Sequence, residues 1–170
     1  MIENIHIFGA TTITGEYLKE NIQSIFPKLN VFTYSRNNLN TNYLDLKDKN
    51  SKILKSKEEH IIINISPIWL LSDFLENLIL NNKDIKIKLK GIITCSSSSV
   101  ITKRFSINKY DKNLVKKLKN SEEKILRICS LQNINYSIVR PTLIYGSSRN
   151  YSDKNLKYII RLMSLIPLIV

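Results

Sequence analysis

Cysteine is scarce, at two in 170 residues. Cys95 and Cys129 lie far apart and have no histidine at metal-ligand spacing, which excludes a disulfide framework and a zinc site. Both read as core residues of a reducing compartment, and no metal is expected. Histidine is equally rare. His6 falls inside an apolar stretch and His60 just before another, where a structural role is expected. Acids number 14 against 26 basic residues, a formal net charge of +12. Such an excess raises nucleic acid or an anionic membrane as partner. The lysines, however, are scattered, and the densest groups (Lys116, Lys117, Lys119; Lys86, Lys88, Lys90) read as solvated faces. Lys, Asn and Ile are abundant together, a chain-wide bias. The expectation is therefore no nucleic-acid partner, with some attraction for anionic small molecules. No apolar run reaches the roughly 20 residues of a membrane span, and the chain opens directly on a strand without a basic leader. It is expected to be cytoplasmic, without membrane insertion.

Glycine is limited to four positions, and two of them punctuate the first notable stretch, Ile5–Gly15 (IHIFGATTITG). Ile5, Ile7 and Phe8 read as a buried strand that stops at Gly9, and a helical pattern opens at Ile13. Gly9 and Gly15 stand where a strand–turn–helix needs residues without a Cβ, one for the turn and one for helix–sheet packing. Such a turn aims backbone N–H groups and the positive end of a helix dipole at one point, a site for a pyrophosphate. Thr12 occupies the place of a middle glycine. On its own the pattern is equally that of an ordinary turn.

The remaining chain alternates strand and helix. Ile13, Leu18, Ile22 and Ile25 form a helical stripe closed by Pro27, and a second strand follows at Leu29–Tyr34. Ser35 and Arg36 come next, about 20 residues beyond Gly15, the distance at which a ribose contact is expected. No acid stands there, which favours a 2′-phosphate, hence NADP(H), with NAD(H) as second choice. Tyr43–Leu46 reads as a short third strand, residues 47–59 as a weak helix, and Ile61–Ile65 as a strand buried on both faces. Ser66-Pro67 ends it. A helix from Leu70 to Asn82, a fifth strand Gly91–Cys95, a long helix Asp111–Leu131, a sixth strand Tyr136–Val139 and a final helix Asn155–Leu165 complete the order. No repeat or linker interrupts it. The alternation predicts one α/β domain over 1–170, a doubly wound parallel sheet with helices on both faces.

These marks together resemble the extended and atypical short-chain dehydrogenase/reductase superfamily, the NAD(P)-dependent epimerase/dehydratase group. Gly9–Gly15 is similar to its G-A-T-G-x-x-G turn. Asp45-Leu46 resembles its adenine-contacting Asp–aliphatic pair, Ser96–Val100 its S-S-x-x-V segment, and Arg140–Gly146 its R-P-x-x-x-Y-G segment beside the nicotinamide. The resemblance implies a Rossmann-type fold that binds NAD(P). Gly9, Thr11, Thr12, Ile13 and Gly15 would hold the pyrophosphate, Ser35 and Arg36 the ribose end, and Asp45 and Leu46 the adenine. Ser66 and Pro141 would stand at the other strand ends. It further implies hydride transfer on a small molecule of nucleotide-sugar type. Family members continue past this length into a substrate-binding region, so the chain is expected to hold the cofactor half. Its apolar end, Leu165–Val170, makes self-association into a homo-oligomer plausible.

The family's acid–base machinery is a tyrosine, a lysine four residues later that lowers its pKa, and a hydroxyl that orients the substrate. By the resemblance Ser97 takes the hydroxyl position. Lys119 can take the lysine position, but Val115 then stands where the tyrosine belongs. Tyr110 has Leu114 four residues on, and Tyr43 with Lys47 has the spacing at the adenine end. Candidates for the base are Tyr110, Lys103 and Tyr145. The alternatives are a dinucleotide-binding module without this chemistry, such as a redox sensor or assembly partner, or an inactive remnant.

Overall fold

The computed structural model describes residues 2–36, 41–48, 53, 58–81, 88–142 and 144. Six strands form one sheet: β1 (Ile2–Phe8), β2 (Asn30–Ser35), β3 (Asn42–Tyr43), β4 (Glu59–Asn64), β5 (Leu89–Cys95) and β6 (Asn135–Val139). Every pairing is parallel, in the order β3-β2-β1-β4-β5-β6. The chain builds outward from β1 to one side and then, from β4, to the other. The carboxyl ends of β1 and β4 therefore flank the switch point at which such sheets open a crevice. This is the doubly wound Rossmann arrangement.

Strand alternation sends alternate side chains into two cores. Ile5 and Ile7 of β1 join Ala10 and Ile63, against which Leu18 and Ile22 of α1 (Ile13–Ile25) pack. Phe8 and Ile62 face the other way. They meet Leu71, Phe74 and Leu75 of α2 (Ile68–Asn81) and Leu118, Ile125 and Cys129 of the 24-residue α4 (Lys109–Gln132). Helices thus cover both faces, and the apolar run Ile61, Ile62 and Ile63, with Ile65 beyond the buried Asn64, reflects a strand that must satisfy both. Burial pushes the Cys129 thiol up to about 11, in keeping with a packing role.

Several boundaries differ from the sequence expectation, each for a local reason. The third strand covers only Asn42–Tyr43 rather than Tyr43–Leu46. Leu44 still donates its N–H to Ser35 O at 2.9 Å, but the Asp45 carboxylate then accepts from Lys47 N at 3.0 Å and folds the chain into a turn. A one-turn helix, α3 (Ser99–Thr102), replaces part of an expected loop, because Ser97 Oγ accepts the N–H of Ser99 at 3.2 Å. The long helix starts two residues early on the Asn108 cap, which accepts from Tyr110 N at 2.8 Å. It ends on Asn133 in the left-handed conformation (φ 53°), a place asparagine tolerates. The expected helix Asn155–Leu165 and Tyr145 lie outside the described residues, as does most of the expected helix at 47–59.

The two histidines meet inside the sheet. His6 Nε2 lies 2.9 Å from His60 Nδ1, its Nδ1 lies 3.0 Å from Tyr34 Oη, and its ring stacks on Phe32 and Tyr34. Both imidazoles are buried. Burial first, and His60 second, lowers the His6 pKa to about 4, while burial raises Tyr34 to about 12. A structural role fits this enclosure. The folded His6 pKa lies below the usual value near 6.5, so the unfolded chain binds the proton more readily. Its contribution to stability is complete above pH 6.5 and is lost as pH falls towards 4. Thermal midpoints should therefore fall between about pH 6.5 and 4.5, before carboxylates titrate, and the fall should be shallower in His6→Phe. Parallel pH profiles for the two proteins would show that His6 is not the group responsible.

Candidate functional site

Gly9 ends β1 with φ +77°, a conformation that L side chains rarely adopt, and a Cβ there would stand 2.8 Å from Ser66 N. At the first turn of α1, a Cβ on Gly15 would stand 2.6 Å from Gly9 O and 2.7 Å from Ala10 Cα. The turn is thus pressed against the end of β4 on one side and against its own helix on the other. Thr12 caps α1. Its Oγ1 accepts the Gly15 N–H at 3.1 Å and donates to Gly9 O at 2.8 Å.

This packing decides which backbone donors remain. Gly9 N and Ala10 N both donate to Tyr34 O, at 3.2 and 3.3 Å, and Thr12 N donates to Gly9 O at 3.1 Å. The N–H groups of Thr11, Ile13 and Thr14 have no acceptor among the described residues. They lie at the positive end of a 13-residue helix, where an anion is favoured. Thr14 was not among the residues expected to matter, and Gly9 contributes its shape rather than its N–H.

The turn opens on a cleft of about 200 Å³ at the ends of β1, β2 and β4. Of the expected cofactor residues, Gly9, Thr11 and Thr12 line it from the turn. Ser35 and Arg36 line it from β2, Asp45 and Leu46 from the segment after β3, and Ser66 from the end of β4. Arg36 is exposed and makes no ion pair among the described residues. Ser35 Oγ is 2.7 Å from Thr41 Oγ1, so the arginine is the group with open donors at that end. The sequence reading missed the apolar walls: Phe8, Tyr34, Leu44, Ile65, Pro67 and Leu70. Their signal was position, since each lies close to a strand end. Gly15 and Ile13 stand behind the lining, in α1.

Pro141 and Ser97 lie away from this cleft, beyond the ends of β6 and β5. The ladder continues past the strands, with Ser96 N on Val139 O at 2.7 Å and Ser98 N on Pro141 O at 3.0 Å. That places the two segments side by side. Ser97 Oγ also donates to Ser99 Oγ at 3.0 Å, so its hydroxyl is engaged locally. Lys119 is half-buried on α4, Val115 is buried, and Tyr110 is 73% exposed at the helix start. Tyr110, Lys119 and Ser97 do not form a hydrogen-bonded set among the described residues. Lys103 is paired with Asp111 at 2.8 Å. Hydrogen bonds from Lys103 and Ser106 hold that carboxyl below the usual range.

Between β5, β6 and α4 sits a group that the sequence reading passed over. Glu122 is 4% exposed, accepts from Ser96 Oγ, and takes a two-pronged contact from Arg140 (Nε 3.0 Å, Nη2 2.6 Å). Burial pushes its carboxyl up, and the Arg140 and Ser96 hydrogen bonds outweigh that and hold it below the usual value. An acid four residues from Leu118, in line with the apolar stripe of α4, was the available signal.

No family model and no curated protein matches this sequence. Solved structures do match it. UDP-N-acetylglucosamine 4-epimerase from Bacillus cereus superposes with TM-score 0.60 at 16% identity, over 88% of this chain and 64% of that one. dTDP-glucose 4,6-dehydratase from Bacillus anthracis, in complex with NAD, gives 0.62 at 10%, over 85% and 56%. Gre2 from Candida albicans, with NADPH, gives 0.58 at 11%, over 86% and 60%. The likeness is one of fold, shared also with a short-chain dehydrogenase/reductase superfamily protein from Agrobacterium tumefaciens with bound NAD (TM-score 0.59, 8% identity, over 81% of this chain and 48% of that one). This chain spans less than two thirds of the length of each of the four.

Two substitutions test the turn. Gly9→Ala should cost about 1–3 kcal/mol in urea unfolding, from the strained φ and the contact with Ser66. Gly91→Ala, whose Cβ would meet Ile61 Cγ1 at an ordinary 3.5 Å, should be neutral or slightly stabilising. Equal effects at the two positions would contradict the close approach. Arg140→Met leaves the Glu122 carboxylate buried and half-partnered. Because the Arg140 end is partly exposed, the expected loss is about 2 kcal/mol at pH 7, below that of a fully buried pair. The loss should be largely absent when Glu122→Gln is also present, which a double-mutant cycle measures.

Proposed function

We propose that this chain binds a nicotinamide adenine dinucleotide, NADP(H) in preference to NAD(H), across the carboxyl ends of β1, β2 and β4. In this reading it is the cofactor half of an oxidoreductase or epimerase/dehydratase acting on a small molecule of nucleotide-sugar type. One observation carries the proposal. A turn whose Thr11, Ile13 and Thr14 N–H groups lack acceptors among the described residues lines one cleft at the switch point through Gly9, Thr11 and Thr12, together with an arginine without an ion pair there and an Asp–Leu pair. The missing Cβ of Gly9 lets the turn lie against Ser66, as expected of the glycine that makes the tight turn of such a motif.

The residues fit the group as follows. The turn from Gly9 to Ile13 would take the pyrophosphate, with the N–H groups of Thr11, Ile13 and Thr14 as donors. Arg36 would pair with a 2′-phosphate. The Asp45 carboxylate would accept from the adenine amine, and Leu44 and Leu46, which line the cleft beside it, would give its ring an apolar wall. Pro141 and Ser97 would stand towards the nicotinamide end. When bound, the nicotinamide supplies the hydride-accepting and hydride-donating carbon, and the chain's own part is to bind and orient it. The similarity in fold to an epimerase, a dehydratase and the NADPH-bound Gre2 supports the general kind of reaction.

A second reading keeps the dinucleotide and omits the chemistry. It is favoured by α4, whose stretch beyond the exposed Tyr110 presents Leu114, Val115 and Leu118 to the core. Under it the chain is a non-catalytic binding module. Both readings require binding, so titration of the full chain with NADPH and NADH comes first. NADPH should bind more tightly, and Arg36→Ala should weaken NADPH by about tenfold while leaving NADH nearly unchanged. Binding of neither nucleotide would sink the proposal. Equal affinities unaffected by Arg36→Ala would remove the 2′-phosphate assignment.

A further inference from the structure

The stretch between α3 and α4 exposes apolar side chains to an extent found nowhere else among the described residues. Phe105 is 87% exposed and Ile107 is 92% exposed, with Ile101 at 65% and Tyr110 at 73% on either side. None of the four joins either core cluster. The backbone that carries them is nevertheless held in place. Ser106 N donates to Lys103 O at 3.1 Å, Asn108 N to Ser106 Oγ at 3.2 Å, and Ser106 Oγ to Asp111 at 3.0 Å. An ordered turn that presents bare isoleucine and phenylalanine incurs a solvation cost with no return inside the fold.

The charge around these side chains has one sign. From Ile101 to Lys112 there are four cations, Lys103, Arg104, Lys109 and Lys112, against the single acid Asp111. Lys103 neutralises that acid at 2.8 Å. Arg104 lies over the Phe105 ring at 5.3 Å from its centroid. Arg104, Lys109 and Lys112 make no ion pair among the described residues. Protruding apolar tips ringed by uncompensated cations suit a partner that is anionic on its surface and apolar just beneath.

We propose that the Ile101–Lys112 turn docks the protein on an anionic lipid surface, with Phe105 and Ile107 entering the boundary between headgroups and acyl chains. Arg104, Lys109 and Lys112 sit among the lipid phosphates. The mode is interfacial, since no helix among the described residues is long and apolar enough to cross a membrane. Nucleic acid shares the charge complementarity, but isoleucine has no ring to stack on a base and gains nothing beside a sugar–phosphate chain. A protein partner would need deep pockets for side chains that stand almost wholly free, whereas a lipid surface yields to them. The proposal does not depend on the dinucleotide cleft, which is lined by other residues.

Flotation of the full chain with vesicles tests it. Binding is expected to phosphatidylcholine vesicles that contain phosphatidylglycerol, to be weak on phosphatidylcholine alone, and to fall as salt rises. The double variant Phe105→Ser/Ile107→Ser should reduce the bound fraction about tenfold or more, with an unchanged melting temperature because neither side chain packs in the core. Lys109→Gln/Lys112→Gln should weaken binding to the anionic vesicles alone. No binding to anionic vesicles at low salt would overturn the proposal. So would undiminished binding by the serine variant, a lowered melting temperature in it, or capture of single-stranded nucleic acid in place of vesicles.

Discussion

Two contacts too close for any Cβ organise this molecule. Gly9 lies against the backbone of Ser66, and Gly15 lies against Gly9 O and Ala10. The first brings the exit of β1 to the exit of β4, although the strands belong to opposite halves of the winding. The second sets the start of α1 directly on the turn, so the positive end of the helix dipole and its first N–H groups lie beside those exits. Thr12 then binds both ends of the turn with one hydroxyl, donating to Gly9 O and accepting from Gly15 N. A threonine in the place of a middle glycine is thereby accommodated as a helix cap. The turn gives up some backbone bareness and gains a fixed shape.

The polar groups inside the sheet follow the same economy. Asn64 is fully buried at the end of β4, and it donates to Ser66 O at 2.8 Å and Thr94 Oγ1 at 3.0 Å while accepting from Ser66 Oγ. That arrangement fixes where the chain leaves β4 and how β4 meets β5, directly behind the cleft. Glu122 does the equivalent for β5 and β6, tying Ser96 to Arg140 from the helix above. A buried polar group left unsatisfied would cost roughly 1–3 kcal/mol. These groups are satisfied by partners at strand ends, so the energy that keeps them folded also sets the positions of the loops.

Much of this was legible in the sequence, for identifiable reasons. The β1 turn was readable because glycine is so rare here that two in seven residues mark a constraint. The β4 run Ile61–Ile65 was readable because burial on both faces leaves Asn64 as its one polar residue. What escaped was decided by side chains acting on the backbone. Asp45 ends β3 early by bonding Lys47 N, and Ser97 starts a helix by bonding Ser99 N. Neither leaves a mark in hydropathy. Glu122 escaped because its meaning lies in Arg140, 18 positions on and past another strand. Local periodicity shows only an acid in line with an apolar stripe. In the same way the lysine-rich clusters, read as solvated faces, drew attention from Phe105 and Ile107, whose exposure only the fold reveals.

The carboxyl edge of the sheet is chemically unequal along its length, and this bears on which of the two functional readings the chain can serve. At the β1–β2 end the donors are open: the N–H groups of Thr11, Ile13 and Thr14, and the Arg36 guanidinium, have no acceptor among the described residues. At the β5–β6 end the polar groups are already engaged with one another, Ser97 with Ser99, Ser96 and Arg140 with Glu122, and Lys103 with Asp111. A general acid or base must bring a proton site within hydrogen-bond reach of its substrate, and a site built for binding need not. The open donors at the first end suit the anionic ligand that the proposed binding requires. At the other, a proton site would come from Tyr110 or Lys119, neither of which has a side-chain partner among the described residues, or from the opening of one of these pairs. The Lys103–Asp111 pair is the more exposed of the two charge pairs there, so it opens at the smaller cost. The Glu122–Arg140 pair, closed over a buried carboxylate, is better suited to holding a wall than to moving a proton.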